Sequence, residues 1–89
     1  MKLLLSYDLR VPGRDYKPLY ARLGEWSATR ILESVWITNT QSNATALRDD
    51  LLKYIDANDG LAVVELAKNG AWHELIGQSG QRLKTILES

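Results

Sequence analysis

Apolar positions change their period several times along the chain, and each change marks an element. Residues 2–9 open on consecutive Leu3, Leu4 and Leu5. Three adjacent apolar residues suit a central strand buried on both faces. The turn chemistry of Val11, Pro12, Gly13 and Arg14 ends that strand. From about residue 16 to 26 the spacing becomes helical, with Tyr16, Leu19, Tyr20, Leu23 and Trp26 on one face. Asp15 is placed to cap this helix, and Pro18 falls in its first turn, where a missing N–H does little harm. Residues 28–40 are rich in β-branched side chains (Thr29, Ile31, Val35, Ile37, Thr38, Thr40). They divide into strands at about 28–32 and 35–39, joined by a tight connection at Glu33 and Ser34.

Ser42 or Asn43 then caps a second helix reaching Ile55, with Ala44, Leu47, Leu51, Tyr54 and Ile55 on its inner face. Arg48, Asp49, Asp50 and Lys53 are left to solvent. A turn cluster over 56–60 precedes another nearly continuous apolar strand over 61–66. Asn69 and Gly70 break the chain again. The remainder predicts a short helical turn over 71–76, a linker over 77–80, and a last helix over 81–88 carrying Leu83, Ile86 and Leu87.

The order β-α-β-β-α-β plus a tail predicts an α+β fold. Residues 1–69 are expected to form a ferredoxin-like split βαβ domain (βαββαβ) with an antiparallel sheet. Residues 70–89 are expected to form a C-terminal helical tail packing on the domain or on a partner. Two helices cover only one face of the sheet. An apolar second face needs the tail, a second copy or a partner. At 89 residues the chain makes one domain, and folding at that size buries only ~60% of the unfolded surface, so self-association is a natural supplement.

Composition narrows the classes. Hydrophobic residues make up 45% and charged residues 25%, which excludes a disordered chain. There is no cysteine, so disulfides and thiolate metal sites are excluded. No stretch approaches the ~20 apolar residues of a membrane span. The opening apolar run is ended by Asp8 and Arg10, too early for a secretory h-region, and a cytoplasmic protein is expected. Net charge is zero but uneven: residues 1–48 carry seven Lys/Arg against four Asp/Glu, and 49–89 the reverse. A surplus of three makes a weakly basic half, well short of the footprint of a strong nucleic-acid binder.

Candidate chemistry is sparse. His73 is the only histidine, no nucleophilic triad is visible, and no glycine loop has phosphate-cradling spacing. Asp56, Asn58 and Gly60 echo a calcium loop, but the glycine falls one position early and the closing Glu is missing, so they read as a turn. Asp8 is different. It closes the first strand directly after Tyr7, where a rigid sheet would fix a carboxylate for a cation. Magnesium commonly takes one or two carboxylates with waters and substrate phosphate, so two copies of Asp8 across a two-fold axis would supply a site. The alternative is that Asp8 accepts hydrogen bonds from its own loop or pairs with Arg10 or Arg14. Arg30 and Ser34 flank the hairpin, and Arg30 is placed either to contact phosphate or to pair with Glu33 or Glu25. Trp26, Trp36 and Trp72 are expected in the core or at a dimer interface.

Two motifs carry a resemblance. Tyr7-Asp8-Leu9 after an apolar strand, followed by Arg30-Ile31-Leu32-Glu33-Ser34-Val35-Trp36, resembles the CRISPR-associated Cas-two family over about residues 2–66. The family pattern is an apolar strand ending in Tyr-Asp, a helix, then Arg-Val-Gln-x-Ser-Val-Phe. The chain is also similar to that family's stand-alone SinR-like and VapD-like relatives. It departs at Leu32 for the family's Gln, at Trp36 for its Phe, and in the helical character of 70–89 where the family commonly has a fifth strand. A stand-alone relative is therefore the closer fit. The resemblance implies a homodimer with facing sheets and Asp8 of each copy near the two-fold. It also implies magnesium-dependent endonuclease (phosphodiesterase) activity on RNA or DNA. In such an enzyme metal-activated water would attack the phosphodiester. Asp8 would be metal ligand and catalytic residue with Tyr7, while Arg10, Arg30 and Ser34 would bind substrate. Many members act only as scaffolds, so a non-catalytic dimeric module binding a protein or nucleic acid, or a toxin–antitoxin component, is the alternative expectation.

Overall fold

A computed structural model describes all 89 residues as a mixed α+β domain. Strand β1 (Lys2–Asp8) leads to helix α1 (Lys17–Glu25), then to strands β2 (Thr29–Leu32) and β3 (Val35–Asn39). Helix α2 (Ala44–Leu51) tightens into a 3-10 turn (Leu52–Tyr54) before strand β4 (Gly60–Glu65), and helix α3 (Ser79–Glu88) closes the chain. The four strands form one antiparallel sheet in the order β2-β3-β1-β4. No helix is long and apolar enough to cross a membrane.

The leucine run of β1 explains the layering. Side chains alternate along a strand, so Leu3 and Leu5 point to one face with Tyr7, and Leu4 to the other. Leu3, Leu5 and Tyr7 pack with Leu19 and Leu23 of α1, Leu47 and Leu51 of α2, and Ile55. On the opposite face Ile31 and Ile37 meet Leu83, Ile86 and Leu87 of α3, with Leu4 and Val35 packed alongside. The tail thus lies on its own chain's sheet, over β2 and β3, and makes a three-layer arrangement. Thr38 is fully buried in the sheet, and its hydroxyl donates to the Trp26 carbonyl at 2.8 Å, which satisfies it.

Local signals set most boundaries. Asn43 caps α2 in extended conformation, its side chain accepting from the Ala46 N–H at 2.8 Å. The residue flanking α1 is Tyr16 rather than Asp15, yet Asp15 still contributes by accepting the Lys17 N–H at 3.0 Å. Two expectations for the tail change. Residues 71–76 are irregular, not helical: the Ile76 N–H is taken by the Ile31 carbonyl at 3.0 Å, and Glu74 lies in the left-handed region at φ 53°. Helix α3 also begins at Ser79 and absorbs part of the expected linker. A β-carbon at Gly80 would stand 2.9 Å from the Trp72 indole nitrogen, so glycine there admits the ring against the first turn of α3. None of the three tryptophans is fully buried; Trp26 and Trp36 are half-buried and Trp72 is 42% exposed.

Because α3 completes the second core, it is part of the folding unit. Ile86→Ala, at a side chain only 1% exposed, is expected to cost about 2–4 kcal/mol of stability. Urea unfolding of the two proteins checks this. A loss under half a kcal/mol, with an unchanged slope, would mean that the tail is dispensable.

Candidate functional site

The end of β1 and the β2–β3 turn enclose an open cleft of about 290 Å³ lined by Tyr7, Asp8, Leu9, Tyr20, Arg30, Glu33 and Ser34. Four of the five residues singled out from the sequence therefore converge: Tyr7, Asp8, Arg30 and Ser34. They are brought there by the register, in which Tyr7 follows Ser6, the partner of Val35, and by the Tyr7 N–H donating to the Ser34 carbonyl at 3.1 Å. His73 is exposed and takes no part.

The Glu33 carbonyl is the hub of the turn. It accepts from Arg30 Nε at 2.8 Å, from Arg30 Nη2, and from the Tyr7 hydroxyl at 3.2 Å. The Arg30 guanidinium also lies 5.1 Å from the Tyr20 ring centroid and 5.7 Å from that of Trp36. Those two rings are themselves stacked at 6.3 Å and 15°. Backbone anchoring and cation–π attraction together fix a long side chain that would otherwise be mobile. Arg30 Nη1 and the Ser34 hydroxyl make no hydrogen bond within the protein. The cleft therefore offers a positioned cationic donor, a hydroxyl and the Tyr20 ring to a ligand.

Tyr7 is a support rather than a reactive group. Burial pushes its phenol above the ordinary value, against the opposing pull of the Trp36 indole bond and the Arg30 charge. It is neutral at physiological pH, accepting from Trp36 Nε1 at 3.0 Å while donating to Glu33. Its hydroxyl is thus occupied in both directions.

Arg10 stands apart from the cleft. Its Nε meets Asp8 Oδ2 at 2.9 Å and its Nη1 donates to the Asn58 carbonyl at 3.1 Å, so it bridges β1 to the turn before β4. The alternative weighed for Asp8, an ion pair with its own loop, is the arrangement found. Both partners are largely exposed, so the pair contributes little stability, but it does offset the charge at the rim of the cleft. No three His, Cys, Asp or Glu side chains gather anywhere in the fold in a way that could hold a metal. One arginine-paired carboxylate does not by itself fit a magnesium ion, and a complete set needs ligands from outside this copy.

Two further acidic hubs escaped sequence reading. The Asp59 carboxylate accepts the Arg10 N–H at 2.7 Å, the Asp56 N–H at 2.8 Å and the Tyr16 hydroxyl at 2.8 Å. This fills the turn that echoed a calcium loop with internal hydrogen bonds. Asp50 joins the helices: it accepts Arg22 Nε at 2.7 Å, Arg22 Nη2 at 3.1 Å and Trp26 Nε1 at 2.7 Å. The helical pattern left Asp50 to solvent, whereas its side chain is only 14% exposed; that it faces Arg22 across 28 residues needed the fold. Tyr20 reads from the sequence only as part of the apolar face of α1, and its place beside Arg30 was not legible there.

No family model, no curated protein and no solved structure matches the chain.

Both acidic hubs carry a pH signature. For Asp59 burial acts to raise the pKa, but the N–H groups of Arg10 and Asp56 and the Tyr16 hydroxyl outweigh it and hold the carboxyl below its ordinary value. The Arg22 bonds lower that of Asp50. A depressed folded-state pKa contributes stability that is complete above the unfolded value near ~3.9 and is lost as pH falls through the lower folded value. Stability is thus expected to drop on acidification below about pH 4, and less steeply in Asp59→Asn and Asp50→Asn. Thermal unfolding from neutral pH into acid measures it; identical slopes in all three proteins would refute the assignment.

Proposed function

We propose that this chain is a cytoplasmic, Cas-two-like homodimer of ferredoxin-like split βαβ fold whose cleft beside β1 binds the backbone of RNA or DNA. The strand order β2-β3-β1-β4 supports the fold: α1 links β1 to β2 across the intervening β3, and α2 links β3 to β4 across β1. The single observation that carries the function is the state of Arg30. Its guanidinium is fixed on the Glu33 carbonyl and over two aromatic rings, with Nη1 free in a cleft that Ser34 also lines. A fixed guanidinium suits a phosphate oxygen, and an adjacent ring suits a base or sugar face. The weak basic surplus of residues 1–48 predicts modest affinity with a shallow salt dependence.

A second reading keeps the cleft and adds hydrolysis. Asp8 on the rim favours it, because a carboxylate near a bound phosphodiester is where a magnesium-dependent nuclease holds its ion. The ion pair with Arg10 and the lack of a second ligand in one copy make binding without catalysis the better-supported form.

Fluorescence anisotropy with labelled single- and double-stranded RNA and DNA tests the reading. Wild type is expected to bind, Arg30→Ala to bind at least roughly tenfold more weakly, and Arg30→Lys to recover part of the loss. Asp8→Ala, which removes a negative charge from the rim, is expected to bind at least as well as wild type. Equal affinity of Arg30→Ala and wild type would sink the cleft. Magnesium-dependent cleavage that disappears in Asp8→Ala while binding persists would instead establish the hydrolytic form.

A further inference from the structure

The sheet has two edges, and the chain treats them differently. At one edge β2 is only four residues long, shifts register between Arg30 and Leu32, and has its Ile31 carbonyl occupied by the Ile76 N–H. At the other edge β4 is six residues long and pairs with β1 in unbroken register from Leu3↔Glu65 to Asp8↔Gly60. It reads Gly-Leu-Ala-Val-Val-Glu, with no proline, lysine or bulge. Shortening, bulges, prolines and lysines are the devices by which natural sheets stop an edge from recruiting another strand. The β2 edge is short and irregular, whereas β4 has none of the four devices.

The free groups of β4 can be named. The Leu66 N–H donates to the Lys2 carbonyl, and antiparallel ladders alternate, so residues 60, 62 and 64 bond inward to β1. The N–H and C=O of Leu61, Val63 and Glu65 are directed outward, and no turn, loop or cap in the chain engages them.

We propose that β4 is the interface between two copies of this chain, paired antiparallel about a two-fold axis at Val63 so that both sheets become one. The inference rests on the homodimer reading above but replaces the facing-sheet arrangement, which would bring both Asp8 side chains near the two-fold, with an edge-paired one. The register is self-complementary. Val63 faces Val63 of the second copy, Leu61 faces its Glu65, and Ala62 faces its Val64. The strand's one charge never meets its own kind, which would be destabilising. Val64 is 49% exposed and Ala62 is exposed, so the pairing also joins them into an apolar strip across the axis. Zero net charge leaves no long-range repulsion between the copies. An extended peptide from another protein would use the same outward groups, but nothing in β4 selects it, whereas the sequence fits itself.

The geometry has a consequence for Asp8. It lies opposite Gly60, three residues from the axis, so the two Asp8 side chains stand on the order of 20 Å apart along the strands at ~3.3 Å per residue. They share no cation in this dimer, and the two Arg30 clefts act as separate sites.

The test uses the full chain, whose lack of cysteine makes engineered thiols unambiguous. Sedimentation equilibrium across the micromolar range is expected to give a dimer. Val63→Pro deletes the central outward N–H without touching a bond to β1, and Glu65→Pro does so at an exposed site outside the core. Each is expected to weaken dimerisation by roughly tenfold or more while far-UV circular dichroism is retained. Mixing Ala62→Cys with Val64→Cys chains under oxidation is expected to yield the disulfide-linked dimer far faster than either alone. A dimer unaffected by both prolines, and cross-linked instead through Asp8→Cys, would overturn the edge pairing and keep the homodimer. A monomer throughout the concentration range would overturn both.

Discussion

Leu3, Leu4 and Leu5 lie on one strand yet feed two different cores, and the rest of the architecture answers to that demand. A strand flanked on both sides by other strands can shed its apolar surface only above and below the sheet. Helices α1 and α2 cover one side. The other would leave Ile31, Ile37 and Leu4 in water, and α3 is the element that removes them. Each such side chain contributes about 1.5–3 kcal/mol when fully buried, a large share of the stability of so small a domain.

Covering the second face from within the chain changes what is left for a partner. With α3 over β2 and β3, the accessible part of the sheet is its β1–β4 side, where Ala62 and Val64 are exposed. The cleft opens on the face that α1 covers, where the Glu33 carbonyl gathers Arg30 and Tyr7, whereas Ala62 and Val64 share the face of Leu4. The two features still lie on neighbouring strands, since Asp8 of the cleft pairs with Gly60 of β4.

The carboxylates divide by role along similar lines. Asp50 and Asp59 each accept from three donors and hold helices and loops together, which lowers their pKa. Asp8 has a single arginine partner on an exposed surface. A carboxylate already holding three donors must give up internal bonds to take a ligand, whereas a surface ion pair is cheap to break. That difference is why Asp8, and not the better-ordered acids, retains chemical interest.

Local sequence alone determined the element order, the placement of all four strands, the tight turn at Glu33 and Ser34, and a cap at Ser42 or Asn43, because these depend on neighbours in sequence; the structure chose Asn43. It also marked Tyr7, Asp8, Arg30 and Ser34, although the reason they belong together lay in a resemblance and not in their spacing. Tertiary structure alone decided that Arg10 turns away to Asn58, that Tyr20 and Trp36 flank Arg30, and that residues 71–76 yield their helical turn to the β2 edge. Each of those outcomes depends on contact between segments remote in sequence. Local propensity is silent on such contacts, since a side chain's partner is set by which elements the closing of both cores brings alongside it.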